Sequence, residues 1–271
     1  DEIEKRIVKF FGLNSIFDYS VAQTIPAFSK IRKSESTLMR EFWVRSAYTH
    51  FESLKSPAVY DRKKLVELIS KIRPYTMNVA SGLRTVAQAL YNIGVTVIYQ
   101  PSLHTTQVRG ATFIIDGKPC IALTDLNKRY STLWFALLHE LHHVLYDFDE
   151  IQSNVFHLTG ELDLFLLQED KADEFAKEYF LPVDRSKFIY KYISNELVVR
   201  NFAKENQIHP SLIYSFYCWD MEVAGKGSYW AKYKHFQPDV KEALKGININ
   251  SFSYERIDQA AQYLKDHIFN I

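Results

Sequence analysis

The sequence predicts an α+β fold, mainly helical, with a small β-sheet that contains an antiparallel hairpin. Three observations carry this. Apolar residues recur at helical spacing through Leu65, Leu68, Ile69 and Ile72; two short apolar runs flank the turn residues Asp116 to Pro119; and a long apolar segment, Leu133 to Leu145, is far too regular for a loop. With 47% hydrophobic and 24% charged residues, the 271-residue chain has the composition of a globular protein with one sizeable core and extensions.

Residues 1 to about 58 read as a helical N-terminal extension, with Ile7, Phe10 and Phe11 and then Leu38, Phe42, Val44 and Phe51 at uneven spacing around Pro26. A helix from Asp61 stops at Pro74, and a second one carrying Val86, Ala87, Ala89 and Leu90 stops at Gly94. Val95, Val97 and Tyr99 alternate as a strand. ATFII (111–115) and CIALT (120–124) then form the hairpin. Ser131 or Thr132 is placed to cap the next helix, which is apolar on nearly every face and must be buried. A loop of about twenty residues should follow it, then a helix from about Leu164 to Phe180 closed by Leu181 and Pro182. Further helices fall near 185–220 and 253–269, and Gly225, Gly227, Pro238 and Gly246 make 221–271 read as a looser C-terminal extension. The main domain is thus 59–220.

Charge and cysteine content narrow the functional classes. Lys plus Arg number 33 against 32 for Asp plus Glu, so no long-range field draws the chain to nucleic acid or an acidic membrane. Cys120 and Cys218 stand far apart, which fits a reducing compartment and makes the cytoplasm the expected location. The start, DEIEKRIVKFFGL, has neither an initiator Met nor a signal-peptide pattern, and the most apolar stretch falls far short of the roughly 20 residues a membrane span needs.

The chemistry sits on the buried helix. His139, Glu140, Leu141, His142 and His143 spell HExxH, a pattern expected by chance only about 0.02 times in such a chain. Residues four apart lie one turn along the same helix face, so His139 and His143 can reach one cation. Glu140, about 100° round the axis, is badly placed as a ligand but well placed as a general base on a water at the metal. His142 points away from both and is not counted as a ligand.

A catalytic zinc site takes three protein ligands, so a third must lie downstream. Asp149 has the spacing of a metzincin third ligand, but Tyr146 stands where that pattern needs Gly. His157 and Glu161 have no supporting pattern. Glu169 does: Glu169, Ala172, Asp173 and Ala176 share one helix face, and the two alanines permit close approach to the HExxH helix. Asp173, one turn on, is placed to accept the second ring N–H of a liganding histidine. Asp170, Lys171, Glu174 and Lys177 read as the solvent side.

HELHH followed by EDKADEFAKEYFLP resembles the ImmA/IrrE family of metallopeptidases, whose pattern is HExxH, then ExxA(N/D)xFA and an LxP-type end. The likeness extends to VRGATFII, PCIALTD and QIHPSLIY, and covers 61–220. FFGLNSI, FSKIRKSES and FWVRSAYTHFE also resemble the linker of long members that carry an N-terminal helix-turn-helix domain, which is not visible in this chain. The resemblance implies a zincin-like metallopeptidase domain with metal ligands His139, His143 and Glu169 and catalytic Glu140, and a zinc-dependent intracellular endopeptidase that cuts a repressor or other DNA-binding regulator in a stress or mobile-element response. The alternative is a transcriptional regulator or antitoxin-like module whose metal domain senses a signal. Zinc is expected, though two imidazoles and a carboxylate suit other divalent ions. An oxyanion donor should exist, with Arg109, Tyr130, His157 and Tyr179 as candidates.

Overall fold

The computed structural model describes residues 2–11, 13–18, 35–103, 108–154, 156–159, 169–248 and 254–269. Helices dominate: α1 (Glu2–Phe11), α2 (Glu35–Leu54), α3 (Arg62–Ile69) and α4 (Gly82–Tyr91) precede a sheet. Its strands are β1 (Thr96–Tyr99), β2 (Gly110–Ile115), β3 (Lys118–Leu123) and β4 (Phe156–Thr159). The buried helix α5 (Tyr130–Tyr146) and the short α6 (Phe148–Asn154) lie between β3 and β4. After β4 come α7 (Glu169–Phe180), α8 (Val183–Ile189), α9 (Glu196–Glu205), α10 (Pro210–Val223), α11 (Trp230–Tyr233), α12 (Val240–Leu244) and α13 (Ile257–Leu264). Among the described residues no helix is long and apolar enough to cross a membrane.

The sheet order is β1-β3-β2-β4. Asp116 and Gly117 both take positive φ, 53° and 71°, the pattern of a tight two-residue hairpin turn, and Gly117 does so without a Cβ penalty. Lys118 and Pro119 therefore belong to β3, not to the turn, and Ile115 pairs with Lys118 and Ile114 with Pro119. Because the hairpin folds β3 back between β1 and β2, β1 runs parallel to β3, from Thr96 opposite Cys120 to Tyr99 opposite Leu123. Cys120, Ile121, Ala122 and Leu123 are all fully buried, as befits a central strand covered on both faces. Helix α5 packs on β2 and β3, while α2 and α4 pack against β1.

Helix α5 is the axis of the core. Of its residues, only Thr132 and Tyr146 escape burial. Ser131 does not cap it: its Oγ sits 2.6 Å from Ser215 Oγ and donates to Gln237, and the N-cap position is Arg129, without a side-chain cap bond. The far end is capped in trans. Tyr60 donates to the Val144 carbonyl and Arg62 to that of Leu145, satisfying acceptors that a helix C-terminus leaves unpaired. The expected twenty-residue loop is instead shortened by α6 and by β4, which adds to the free edge of β2, Gly110 opposite Thr159 and Phe113 opposite Phe156. Neither was visible from periodicity because both are only a turn or a few residues long. Residues 164–168, at the expected start of α7, and 19–34 lie outside the described residues.

The C-terminal stretch is less loose than its glycines suggested. Val240, Leu244, Ile247, Leu264, Ile268 and Phe269 join the same core as Trp43, Phe51 and Leu54 of α2. The Phe269 ring stacks on Tyr91 at 4.2 Å, and Tyr91 donates its hydroxyl to the Leu54 carbonyl. Buried apolar spacing, not turn content, decides such a segment.

Two histidines outside the HExxH helix make the fold acid-labile. Burial pushes the pKa of His50 down to about 4, and burial does the same at His209, also to about 4. His209 is the N-cap of α10 and accepts from the Ser211 N–H through Nδ1, so protonation removes that acceptor. The unfolded chain binds these protons below about pH 6.5, the folded chain only near pH 4. The contribution of these two histidines is therefore full above pH 6.5 and is lost as pH falls towards 4, by about 3 kcal/mol for His50 and less for the part-exposed His209. Denaturant titrations at pH 7 and about pH 4.5 should show a smaller acid loss for His209→Asn, which keeps a capping acceptor, and for His50→Gln; equal losses in wild type and both variants would contradict this.

Candidate metal centre

Helix pitch brings His139 and His143 onto one face of α5, and their Nε2 atoms stand 3.1 Å apart. Both rings are buried, and both are held from behind by carboxylates. His139 Nδ1 lies 2.8 Å from Asp173 Oδ1, and His143 Nδ1 lies 2.7 Å from Asp147 Oδ2. A carboxylate accepts a hydrogen bond, so each Nδ1 carries a proton and each Nε2 is the atom left to face the same small space.

Glu169 completes the triangle. Its Oε2 is 3.3 Å from His139 Nε2 and its Oε1 is 3.3 Å from His143 Nε2. Ligands held about 2.0–2.1 Å from a tetrahedral ion lie about 3.3 Å from one another, so these separations suit a single cation in the triangle. His139, His143 and Glu169 could hold a metal ion. The donor set, two neutral imidazoles and one carboxylate, fits a divalent ion of the zinc type with a coordination position left over.

The face of α7 explains how Glu169 gets there. Ala172 and Ala176 are fully buried against α5, so the helices approach closely and carry Glu169 and Asp173 to the two histidines. The Glu169 side chain keeps 30% exposure and Asp173 33%, whereas both histidines are buried.

Glu140 is fully buried and points to the sheet. Thr112 Oγ1 donates to Glu140 Oε2 at 2.6 Å, and a Cβ on Gly110 would stand 2.5 Å from Glu140 Oε1. Gly110 and Thr112 are two apart on β2 and so share a face. One gives Glu140 room and the other fixes its carboxylate. His142 turns away, against Phe175 and Tyr146, with Nδ1 3.8 Å from Asp147 Oδ2. His142, His143 and Asp147 form a second convergent group, but it shares His143, and the short contact from Asp147 to His143 Nδ1 orients that ring.

Three residues of this centre were absent from the sequence-based set: Asp147, Thr112 and Gly110. Asp147 follows His143 by four, the spacing of a neighbour on the same face, and Thr112 is the polar residue in an apolar strand; both signals were readable. Two of the oxyanion candidates have their hydroxyls engaged elsewhere. Tyr130 spends its hydroxyl on the Thr76 carbonyl, and Tyr179 donates to Ile69 while accepting from the Arg73 N–H. Arg109 lies over Trp219. Asp149 is exposed in the first turn of α6, outside the triangle. His157 pairs through its backbone with Thr112; its side chain and Glu161 lie outside the described residues. No family model matches the chain, and no curated protein matches it. The functional reading therefore rests on the residues and their geometry.

Electrostatics follow from the same contacts. Burial opposes protonation of His139, but the hydrogen bonds its ring N–H groups donate to Asp173 and Glu169 outweigh it and push its pKa up to about 10; His143 is raised in the same way by donating to Asp147 and Glu169. Below pH 10 the metal-free His139 thus holds a proton that an incoming cation must displace, so affinity falls with falling pH. Asp147→Asn and Asp173→Asn should each weaken zinc binding by about 10- to 100-fold in a chelator-competition titration. Unchanged affinity in both would show that the two carboxylates do not orient the rings.

Proposed function

We propose that the protein is a zinc-dependent endopeptidase of the ImmA/IrrE kind, acting in the cytoplasm on a DNA-binding regulator or similar protein partner. One observation carries the reading: a convergent pair of imidazole lone pairs and a carboxylate, with a separately anchored carboxylate, Glu140, one helix position away. A structural metal site needs only the ligands. The additional, buried and sterically accommodated Glu140 is what hydrolysis requires.

His139, His143 and Glu169 would hold the ion, with Asp173 and Asp147 fixing the two rings. A bound zinc would supply Lewis acidity, polarising the scissile carbonyl and acidifying water. Glu140 takes the proton from the attacking water and passes it to the leaving amine nitrogen. Thr112 donates to Glu140 Oε2 and so fixes the plane of the carboxylate that moves the proton.

Glu140→Gln should retain zinc and fold yet lower peptide hydrolysis by at least about a thousandfold. If this variant keeps full biological activity, the metal domain senses or holds structure and the peptidase reading falls. Thr112→Val and Gly110→Ala leave the ligands in place and should lower kcat by about tenfold or more with zinc content unchanged, measured by metal analysis beside steady-state kinetics. Parallel loss of zinc would mean that they act through the fold.

A further inference from the structure

Beside the metal centre, one turn towards the start of α5, lies a cavity of about 220 Å³. Its apolar walls are Phe135, Phe216, Trp219 and Trp230, and two guanidiniums, Arg109 and Arg129, line it. The wall shared with the centre is Phe135, whose ring is 6.1 Å from that of His139 and 5.0 Å from that of Trp219. Arg109 immediately precedes Gly110, which borders Glu140. The cavity therefore lies next to the metal centre, across the Phe135 ring and the Arg109–Gly110 peptide.

The two cations are poised but not spent. Arg129 stacks on Trp230 with its guanidinium carbon 3.8 Å from the ring centre, and Arg109 lies over Trp219 at 5.8 Å. Among the described residues neither makes a salt bridge. A guanidinium held by an indole face keeps its N–H donors in its own plane for a planar acceptor. Burial works against the charge on Arg129 and lowers its pKa, so an incoming anion would meet a partly desolvated cation. Among the described residues Glu222 is the one acidic residue that lines the cavity; it is exposed, and its Oε2 accepts from the Trp230 indole N–H at 2.8 Å. Ser131 and Ser215 at the base are bonded to each other and to Gln237. The volume suits one side chain, not a ligand of the several-hundred-Å³ class.

We propose that this cavity is the subsite that recognises an acidic side chain of the cleaved peptide, its carboxylate received by Arg109 and Arg129 and its methylenes lying against the aromatic walls. This assignment rests on the peptidase reading, since it gives the cavity a place beside the scissile bond.

The zinc-loaded protein, wild type and the Arg109→Met and Arg129→Met variants, is incubated with a proteome-derived peptide library and the products are sequenced. Wild-type cleavage sites should be enriched in Asp and Glu at one fixed position, each variant should lose at least about tenfold of that preference, chiefly through KM, and Glu222→Gln, an exposed change, should strengthen it. No enrichment in wild type, or enrichment that survives both arginine variants, overturns the proposal. A wild type that cuts nothing sinks the peptidase reading instead, and the cavity is then judged by binding alone. A random heptapeptide pool with a fixed central Glu should bind zinc-loaded Glu140→Gln at least about tenfold tighter than the pool with central Gln, and the advantage should vanish when Arg129→Met is added. Equal binding of the two pools overturns the subsite.

Discussion

Two aspartates decide what the HExxH helix presents. An imidazole offers one lone pair when neutral, and which nitrogen carries it depends on what faces the other. Asp173 and Asp147 settle that choice for His139 and His143, leaving the two Nε2 atoms 3.1 Å apart across one shared space. The burial of α5 on nearly every face, its C-terminal carbonyls capped by Tyr60 and Arg62, and the alanines that bring α7 close hold the two rings in that geometry.

The aspartates come from different places, and this ties separate elements to one spot. Asp173 is on α7, so it arrives only when α7 has docked. Asp147 is the residue at which α5 ends, with its own N–H bonded to the His143 carbonyl, so its carboxylate is fixed by the helix terminus itself. Further along, Lys177 of α7 pairs with Asp220 of α10, which also accepts from Tyr190, and these contacts steady the helix that brings Glu169. The centre is thus assembled by tertiary packing around a local motif.

That division explains what the sequence could and could not reveal. His139, Glu140 and His143 are related by helix pitch alone, and Glu169, Ala172, Asp173 and Ala176 by the same rule on a second helix, so both faces were legible. The mainly helical character and the hairpin were legible for similar reasons, being set by periods and a turn signal. The parallel pairing of β1 with β3, the edge strand β4 and the approach of Thr112 to Glu140 depend on residues distant in sequence, and no local period encodes them. The cap expected of Ser131 failed because a buried partner across the fold, Ser215, competes for its hydroxyl. The short α6 lies below the length at which periodicity speaks.

Gly110 and Thr112 face Glu140 because β2 lies in one register and no other. Side chains alternate along a strand, so a slip of one residue would turn Ala111 and Phe113 to that face, placing a ring where the carboxylate now stands. What holds the register is the Asp116–Gly117 turn, which no residue of the metal centre touches. The hairpin is in effect the ruler against which Glu140 is set, and an added or deleted residue at its tip would take Gly110 and Thr112 away from that carboxylate while leaving His139, His143 and Glu169 where they are.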